Sequence, residues 1–224
     1  MRYAVLFDFN GVIADDEPIH FEAAKRALAA SGFDLTGDEY YGPLFGLSDE
    51  LFFREFLKRR GIDDEALAIR LVAHKSLLYA ELVERSDVLF CGVRELIEEL
   101  CCRAILGIVS AAQKDEIESI LNRYGLADRF RFVVAADDIT RHKPDPEAYQ
   151  LALEKLEEIW PAYDKRRIVA IEDSAAGVAA AKAAGLKVIA VAHYIDPSKL
   201  NAADTVVEHI SNISAKTVES VIRK

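Results

Sequence analysis

Five side chains suited to phosphoryl transfer stand at or just beyond the ends of apolar segments in this 224-residue chain. The segment YAVLFD ends at Asp8, AILGIVS ends at Ser110, and RIVAIED ends at Glu172 and Asp173. Lys143 lies in the loop that follows a fourth segment, FVVAA. In an open α/β sheet, ligands bind outside the carboxyl ends of the strands. If the four segments are strands of one sheet, their chemical groups converge on a single site.

The three carboxylates supply a nucleophile and oxygen ligands for a metal ion. Asp8 is a candidate nucleophile because carboxylates form aspartyl phosphates in covalent catalysis, although Asp at such a turn also serves as a simple cap. Glu172 and Asp173 provide the oxygen ligands that Mg²⁺ prefers. The alternative for Asp173, or for Ser174, is the N-cap of a helix, which is compatible with metal binding by its neighbour.

Two further features suit the binding of a phosphate group. Ser110 and the backbone amides after it, beginning with that of Ala111, lie where a strand gives way to a helix, and N–H groups and the helix dipole attract anions there. Lys143, in RHKPDPEAY, adds a positive charge. Phosphoryl transfer needs a nucleophile, a cation and donors that hold the transferring group, and each part has a candidate in this chain.

These residues need a fold that carries them to one edge of a sheet, and the apolar pattern predicts an α/β fold. From Val88 onward, helical and strand-like segments alternate, and the strands are apolar at consecutive positions, as in a parallel sheet covered on both faces. Between the first strand and this series, the apolar spacing is helical. The pattern predicts a Rossmann-like core of residues 1–14 and 89–224 with an inserted all-helical domain of residues 15–88.

Composition and charge exclude several classes of function. A net charge of −10 argues against nucleic-acid binding, which needs a basic face. No apolar run approaches the roughly 20 residues that span a bilayer, and the first apolar stretch contains Asp and Asn, unlike a signal peptide. The three cysteines are odd in number and two are adjacent, which suits reduced thiols. We expect a cytoplasmic protein without a membrane or nucleic-acid partner.

Four motifs occur in order along the chain: FDFNGVIADDEPIH, GIVSAA, RHKPDPEAY and IEDSAAGVAAAKAAG. They resemble the four motifs of the haloacid dehalogenase superfamily of phosphohydrolases, and the helical insertion is similar to the small helical cap of that superfamily. Within it, the chain resembles the β-phosphoglucomutase-like phosphatases. The resemblance covers nearly the whole chain and implies hydrolysis of small phosphorylated metabolites through an aspartyl phosphate.

The resemblance also implies a role for each residue of the site. Asp8 is the expected nucleophile, and Ser110 and Lys143 are expected to bind the transferring phosphate. The expected Mg²⁺ ligands are Asp8, the backbone carbonyl of Asn10, Glu172 and Asp173. Asn10 supplies that carbonyl as well as any other residue does.

The side chain of residue 10 departs from the family pattern. Similar phosphatases have Asp there, which protonates the leaving group and then activates the water that cleaves the aspartyl phosphate. Asn10 has no titratable proton in the working range, and losing a general acid/base commonly costs about 10²–10⁴ in rate. Three explanations are open: another route for the proton, a residue changed to trap an intermediate, or a protein that binds phosphorylated ligands with little turnover.

Several residues of the insertion bear on the substrate and on this missing acid. His20 is the first candidate for a substitute proton carrier, the alternative being a solvated helix residue. The loop PLFGLSDELFF resembles one that reads the distal part of the substrate, and the mutase has Arg where this chain has Asp49. Since a carboxylate repels a second phosphate, a hexose-phosphate mutase is disfavoured. Lys75 and Tyr79 lie one helical turn apart and either face the cleft or are amphipathic surface residues.

The leading prediction is therefore a Mg²⁺-dependent phosphatase of small phosphorylated metabolites, with His20 and Lys75 as further substrate contacts. A haloacid dehalogenase would use the Asp8 nucleophile without metal, and the pair Glu172 and Asp173 argues against it. A catalytically impaired protein that binds phosphorylated ligands is the alternative from another class, and Asn10 is the reason to retain it.

Overall fold

The computed structural model describes residues 3–223, and the chain forms two compact units. One unit comprises the chain up to Asp15 together with the chain from Leu89 onward, and the other comprises Asp16–Val88. The chain leaves the first unit after its first strand and returns to it before the second. Within residues 3–223, every helix is too short or too polar to cross a bilayer.

The first unit is built on a six-stranded sheet whose neighbouring strands are all parallel. The strands are Tyr3–Phe7 (β1), Ala104–Val109 (β2), Phe132–Val134 (β3), Ile168–Glu172 (β4), Lys187–Val191 (β5) and Thr205–Val207 (β6). Their order across the sheet is β3-β2-β1-β4-β5-β6. This is a doubly wound order, in which the direction of strand addition reverses between β1 and β4 and leaves a crevice outside their carboxyl ends.

The second unit is all-helical. Its helices are Glu17–Ala29 (α1), Gly37–Tyr40 (α2), Asp49–Arg59 (α3) and Glu65–Glu84 (α4). Thr36, Ser48 and Asp64 each accept a hydrogen bond from a backbone N–H in the first turn of the helix that follows, which fixes where α2, α3 and α4 begin. Phe53 and Phe56 of α3 are fully buried in an apolar core to which α1 and α4 also contribute.

Five helices accompany the sheet of the first unit: Val93–Cys101 (α5), Lys114–Arg123 (α6), Glu147–Ile159 (α7), Ala175–Ala183 (α8) and Ala215–Arg223 (α9). Ala4 and Leu6 of β1 belong to the apolar core that α7 and α8 complete. On the other side, α5 packs against α9, and these helices contact β2, β4 and β5. All five residues of β1 and all five of β4 are buried, which is why both read as uninterrupted apolar runs.

The α/β fold with a parallel sheet and an inserted all-helical unit, predicted from the sequence, is confirmed. The third strand is shorter than the run FVVAA because the chain enters a short 3₁₀ turn at Ala136–Asp138 directly after it. The three cysteines are free thiols, as their spacing indicated.

Candidate active site

Asp8 is the first residue beyond β1, and the sheet fixes its backbone. Its N–H donates to the carbonyl of Ile171 in β4 at 2.9 Å. One carboxylate oxygen, Oδ1, accepts from the N–H of Phe9 at 2.7 Å. The carbonyl of Phe9 in turn accepts from the N–H groups of Ile13 and Ala14, so the chain turns away from the sheet at once. The Asp8 carboxylate is therefore held at the carboxyl edge of the sheet, beside β4.

The Lys143 ammonium lies between two carboxylates. Its Nζ is 3.2 Å from Oδ2 of Asp8 and 2.6 Å from Oε1 of Glu172, and it donates to the carbonyl of Val109 at the end of β2 at 3.0 Å. The Lys143 side chain is only 8% exposed. Burial disfavours the ammonium, but Asp8 and Glu172 outweigh it and raise the pKa of Lys143 above its ordinary value. Lys143 is therefore a fixed positive charge at neutral pH.

Glu172, the last residue of β4, is fully buried. Its Oε1 accepts from Lys143 Nζ and from the Tyr149 hydroxyl, each at 2.6 Å, whereas Oε2 is buried without a hydrogen-bond partner among residues 3–223. Burial raises the pKa of Glu172 above its ordinary value, and the neighbouring Asp8 adds to the effect. Sequence reasoning missed Tyr149, which reaches this carboxylate from the first turn of α7.

Two glycines make room for the carboxylates. A Cβ on Gly11 would overlap Oδ2 of Asp173, and a Cβ on Gly177 would overlap Oε2 of Glu172. Gly11 also has φ +75°, a left-handed conformation that favours glycine. The sequence analysis selected neither glycine, although Gly11 lies in the first motif, directly after Asn10.

Asp8, Glu172 and Asp173 form a group of oxygen donors. One carboxylate oxygen from each lies within 4.8 Å of the other two. Hard cations such as Mg²⁺ take oxygen ligands, and the unpartnered Oε2 of Glu172 is a buried acceptor of the kind that a cation satisfies. The residues present therefore fit a divalent metal ion.

Ser110 lies at the same edge of the sheet, directly after β2. Its N–H donates to the carbonyl of Val134 in β3 at 2.9 Å, and its hydroxyl accepts from the N–H of Ala112 at 3.1 Å. Ser110 is buried, whereas Ala111 is exposed. The structure thus brings Ser110 to the end of β2 next to Val109, whose carbonyl holds Lys143.

The amide of Asn10 faces a carboxylate that no sequence motif pointed to. Asn10 Nδ2 donates to Oε1 of Glu116, in the first turn of α6, at 3.5 Å. The neutral amide and the carboxylate are complementary here. An Asp at position 10 would instead place two carboxylates side by side and raise the pKa of one of them.

His20, Lys75 and Tyr79 form a network within the helical unit. Lys75 Nζ lies 2.7 Å from His20 Nδ1 and 2.7 Å from Asp49 Oδ2. The His20 ring stacks on Tyr79 with 4.3 Å between centroids, and its Nε2 is 3.4 Å from Asp16 Oδ2. Because a Lys ammonium only donates, His20 Nδ1 accepts and Nε2 carries the proton.

The surface alternative is wrong for Lys75 and Tyr79, whereas the role of the half-buried His20 as a proton carrier stays a prediction. Lys75 and Tyr79 are 3% and 5% exposed, and the His20 side chain is 18% exposed. Sequence reasoning missed that the Asp49 carboxylate has a cation as its partner, because Lys75 comes from a different helix. The predicted site residues thus fall into two groups. One lies at the carboxyl edge of the sheet, and His20 with Lys75 lies in the helical unit.

Known proteins similar to this chain include several phosphatases. A family model described as haloacid dehalogenase-like hydrolase matches residues 5–191. The chain is 31% identical over 200 residues to a phosphorylated carbohydrates phosphatase of Thermotoga maritima, and the match covers 88% of each protein.

Solved structures share the fold over almost the whole chain. The structure of CbbY from Rhodobacter sphaeroides in complex with phosphate has a TM-score of 0.85 at 25% identity and covers 98% of this chain and 100% of its own. An aspartate-to-asparagine mutant of CbbY in complex with xylulose-(1,5)bisphosphate also has a TM-score of 0.85 at 25% identity, covering 97% of this chain and 99% of its own.

Proposed function

The chain belongs to the haloacid dehalogenase-like hydrolase family, as its motifs indicated, and we propose that it is a Mg²⁺-dependent phosphatase that works through an aspartyl phosphate on Asp8. Its similarity to named phosphatases supports its assignment as a phosphoric monoester hydrolase. The observation that carries the proposal is the Lys143 ammonium fixed between Asp8 and Glu172, with Asp173 at the same edge of the sheet.

The proposed reaction has two displacements at phosphorus. In the first, an Asp8 oxygen forms a bond to phosphorus, the ester P–O bond breaks, and the departing oxygen takes up a proton. In the second, water attacks the aspartyl phosphate, gives up a proton, and releases orthophosphate while the Asp8 carboxylate is restored. Lys143, Ser110 and the Ala111 amide hold the phosphate oxygens in both steps and balance the charge that spreads over them.

The metal ligands are assigned from the oxygen donors of the carboxyl edge. Asp8, Glu172, Asp173 and the backbone carbonyl of Asn10 would hold Mg²⁺, which supplies further positive charge to the phosphate when bound. Glu172 has a second task in this arrangement. Its Oε1 positions Lys143, because the ammonium and the Tyr149 hydroxyl both donate to it.

Residue 10 cannot carry the proton that both displacements require. We assign this transfer to Glu116, whose Oε1 lies at the Asn10 amide. His20 is the weaker candidate because both of its ring nitrogens face groups of the helical unit, Lys75 on one side and Asp16 on the other. A carboxylate can accept the proton of the attacking water, which an amide cannot do.

The substrate class follows from the relatives and from the helical unit, which we take to be the cap domain. The relative from Thermotoga maritima is a phosphatase of phosphorylated carbohydrates. In the cap, Lys75 is already paired with Asp49, and His20 is its other neighbour. This balanced polar network suits the hydroxyl groups of a small phosphorylated sugar better than a second phosphate, so a phosphatase is favoured over a mutase.

One observation favours a second function. With an amide at residue 10, the chain retains the groups that bind phosphate and loses the usual acid, which is the composition of a phosphate-ligand-binding protein with little turnover. In the family, an aspartate-to-asparagine mutant of CbbY forms a complex with xylulose-(1,5)bisphosphate. A metal-independent haloacid dehalogenase has no such support, since the carboxylates of the edge would have no task in it.

Turnover measurements distinguish these functions. The chain, its Asn10→Asp, Glu116→Gln and Asp8→Asn variants, and the double variant Asn10→Asp with Glu116→Gln are assayed on 4-nitrophenyl phosphate and on sugar phosphates, with Mg²⁺ or with EDTA. We expect Mg²⁺-dependent release of orthophosphate that Asp8→Asn abolishes, a loss of roughly 10²-fold for Glu116→Gln, and a recovery of that loss when Asn10→Asp is added.

The outcomes separate the alternatives. A burst of aryl phosphate cleavage without further turnover, and no turnover of sugar phosphates until residue 10 is Asp, identifies the binding protein. Turnover that is equal in Mg²⁺ and in EDTA contradicts the metal assignment. Full activity of Glu116→Gln removes Glu116 from the proton transfer.

A further inference from the structure

A cavity of about 450 Å³ lies at the opposite edge of the sheet from the candidate active site. Its lining includes Tyr3, Arg103, Arg167, Glu219, Ile222 and Arg223. Tyr3 begins β1, Arg103 and Arg167 directly precede β2 and β4, and the remaining three belong to α9. We call it the amino-edge cavity. None of these residues belongs to the phosphatase site proposed above.

The charge of the amino-edge cavity has the opposite sign to that of the chain. Three guanidinium groups and one carboxylate leave an excess of two positive charges in a chain whose net charge is −10. Glu219 lies 3.9 Å from Arg103 and 3.5 Å from Arg223, so a single carboxylate is shared loosely between two cations. Within residues 3–223, the Arg167 guanidinium makes no hydrogen bond or salt bridge. The lining of the cavity therefore holds three cations and one carboxylate.

A buried hydroxyl in the lining also lacks a partner. Tyr3 is 3% exposed, and its hydroxyl is buried without a hydrogen-bond partner among residues 3–223. An unsatisfied buried polar group is destabilising, so such a group indicates a partner that the chain itself does not supply. Burial, with Glu219 next in effect, raises the pKa of Tyr3, so the phenol keeps its proton and acts as a donor.

We propose that the amino-edge cavity is a second anion site, which binds a phosphate group through Arg103, Arg167, Arg223 and the Tyr3 hydroxyl. Guanidinium groups match the geometry of phosphate oxygens and donate two hydrogen bonds at a time. The volume falls in the range of small-molecule sites and exceeds that of a single phosphate, so the cavity also accommodates a phosphate ester. The residues of this site are separate from those of the catalytic one.

A residue-resolved titration tests the proposal. The ¹⁵N-labelled chain is titrated with orthophosphate in EDTA and followed by NMR. The amides of Ala104 and Ile168, the first residues of β2 and β4, report on the amino-edge cavity, and the amide of Ala111 reports on the candidate active site. We expect saturable shifts at Ala104 and Ile168 with their own dissociation constant. Absence of these shifts overturns the proposal, whatever happens at Ala111.

Matched variants assign the shifts to the arginines. Arg167→Gln should weaken binding at the amino-edge cavity roughly tenfold or more, as expected for the loss of a charged hydrogen-bond donor, and should leave the Ala111 response unchanged. The control is Arg166→Gln, which removes the same charge one residue away from a side chain that pairs with Asp164. Equal effects of the two variants would mean that only general electrostatics is at work, and would overturn the proposal.

Tyr3→Phe tests the buried hydroxyl with hardly any change of shape. In anion-free buffer we expect its unfolding midpoint to equal or exceed that of the parent, since the unsatisfied group is gone, and we expect severalfold weaker orthophosphate binding. Undiminished affinity would contradict the assigned role. A parallel titration with glucose 6-phosphate identifies the source of the phosphate. If glucose 6-phosphate shifts the amides of Ala104 and Ile168 and Arg167→Gln weakens this effect, the cavity binds phosphate esters. If orthophosphate shifts these amides but glucose 6-phosphate does not, the cavity binds free phosphate.

Discussion

At the residue scale, the absence of two side chains is as important as the presence of the carboxylates. Gly11 and Gly177 leave the space that Asp173 and Glu172 fill. Gly11→Ala should displace Asp173 and lower the phosphatase activity and the Mg²⁺ affinity at least roughly tenfold, a loss equivalent to about 1.4 kcal/mol. The measurements are kcat/KM on 4-nitrophenyl phosphate and its dependence on Mg²⁺ concentration.

The chain offers a matched control for this substitution. Gly46 has the same φ as Gly11, +75°, but a Cβ there would meet nothing within 4 Å. Gly46→Ala should therefore show the backbone strain alone, about 1 kcal/mol in the free energy of unfolding, with the Mg²⁺ affinity unchanged. If both variants lose Mg²⁺ affinity equally, the contact between Gly11 and Asp173 is not what matters.

The sequence predicted some residues of the site and not others for a physical reason. Asp8, Lys143 and the pair Glu172 and Asp173 follow apolar strands, and parallel strands carry their ends to one edge. Tyr149 and Glu116 instead lie in the first turns of amphipathic helices, where Tyr and Glu are ordinary residues. Their contacts with Glu172 and Asn10 arise only when α7 and α6 pack beside the sheet, which no local pattern specifies.

At the scale of elements, the pairing of β1 with β4 places the site. The apolar runs predicted each strand, but a run that is buried on both faces carries no information about its neighbours. The observed order puts β1 between β2 and β4, so Asp8 stands between Ser110 on one side and Glu172 on the other. The crevice at the reversal of strand order explains why these residues meet.

The loop after β5 contains a histidine that makes stability depend on pH. His193 stacks on Phe90 with 3.9 Å between ring centroids, and its Nε2 accepts from the N–H of Ile210 at 3.4 Å. Burial, and then the neighbouring His209, lower the pKa of His193 from 6.5 to about 4, while Asp15 acts in the opposite direction. The folded protein therefore holds this ring neutral.

The sign of the pH effect follows from the lowered pKa. Between pH 6.5 and 4 the unfolded chain binds a proton at His193 that the folded chain does not, so this residue stabilises the fold fully above pH 6.5 and loses that contribution as the pH falls through 4. We expect the free energy of unfolding, measured with urea at pH 8, 6 and 5, to fall less steeply for His193→Gln than for the parent. The difference between the two proteins at pH 8, where His193 is neutral in both states, measures the packing lost in His193→Gln. If the free energies of unfolding of the two proteins fall in parallel as the pH is lowered, the assignment to His193 is refuted.

At the scale of the whole molecule, charge is divided between the two edges of the sheet. The carboxyl edge gathers Asp8, Glu172 and Asp173, and the amino edge gathers Arg103, Arg167 and Arg223. The overall charge of −10 argues against a broad basic face, but it conceals the local excess of arginine. That excess depends on residues far apart in sequence that directly precede β2 and β4 or lie in α9, so composition could not predict it.

Metal binding should change the stability of the whole chain. The difference in unfolding temperature between the parent and Asp173→Asn should have one sign in EDTA and the opposite sign in Mg²⁺. Without metal, the carboxylates of Asp8, Glu172 and Asp173 lie within 4.8 Å of one another and repel, so Asp173→Asn relieves repulsion and should leave the unfolding temperature in EDTA equal or higher. With Mg²⁺ at about 100 times its dissociation constant, the parent should gain about 2.7 kcal/mol, or roughly 5–10 °C for a chain of this size, and Asp173→Asn should gain far less. The two melting curves should therefore exchange order when Mg²⁺ replaces EDTA. Glu118→Gln, which removes an exposed carboxylate on α6, serves as the control and should keep the full Mg²⁺ shift. An equal Mg²⁺ shift in the parent and in Asp173→Asn would place the metal site elsewhere.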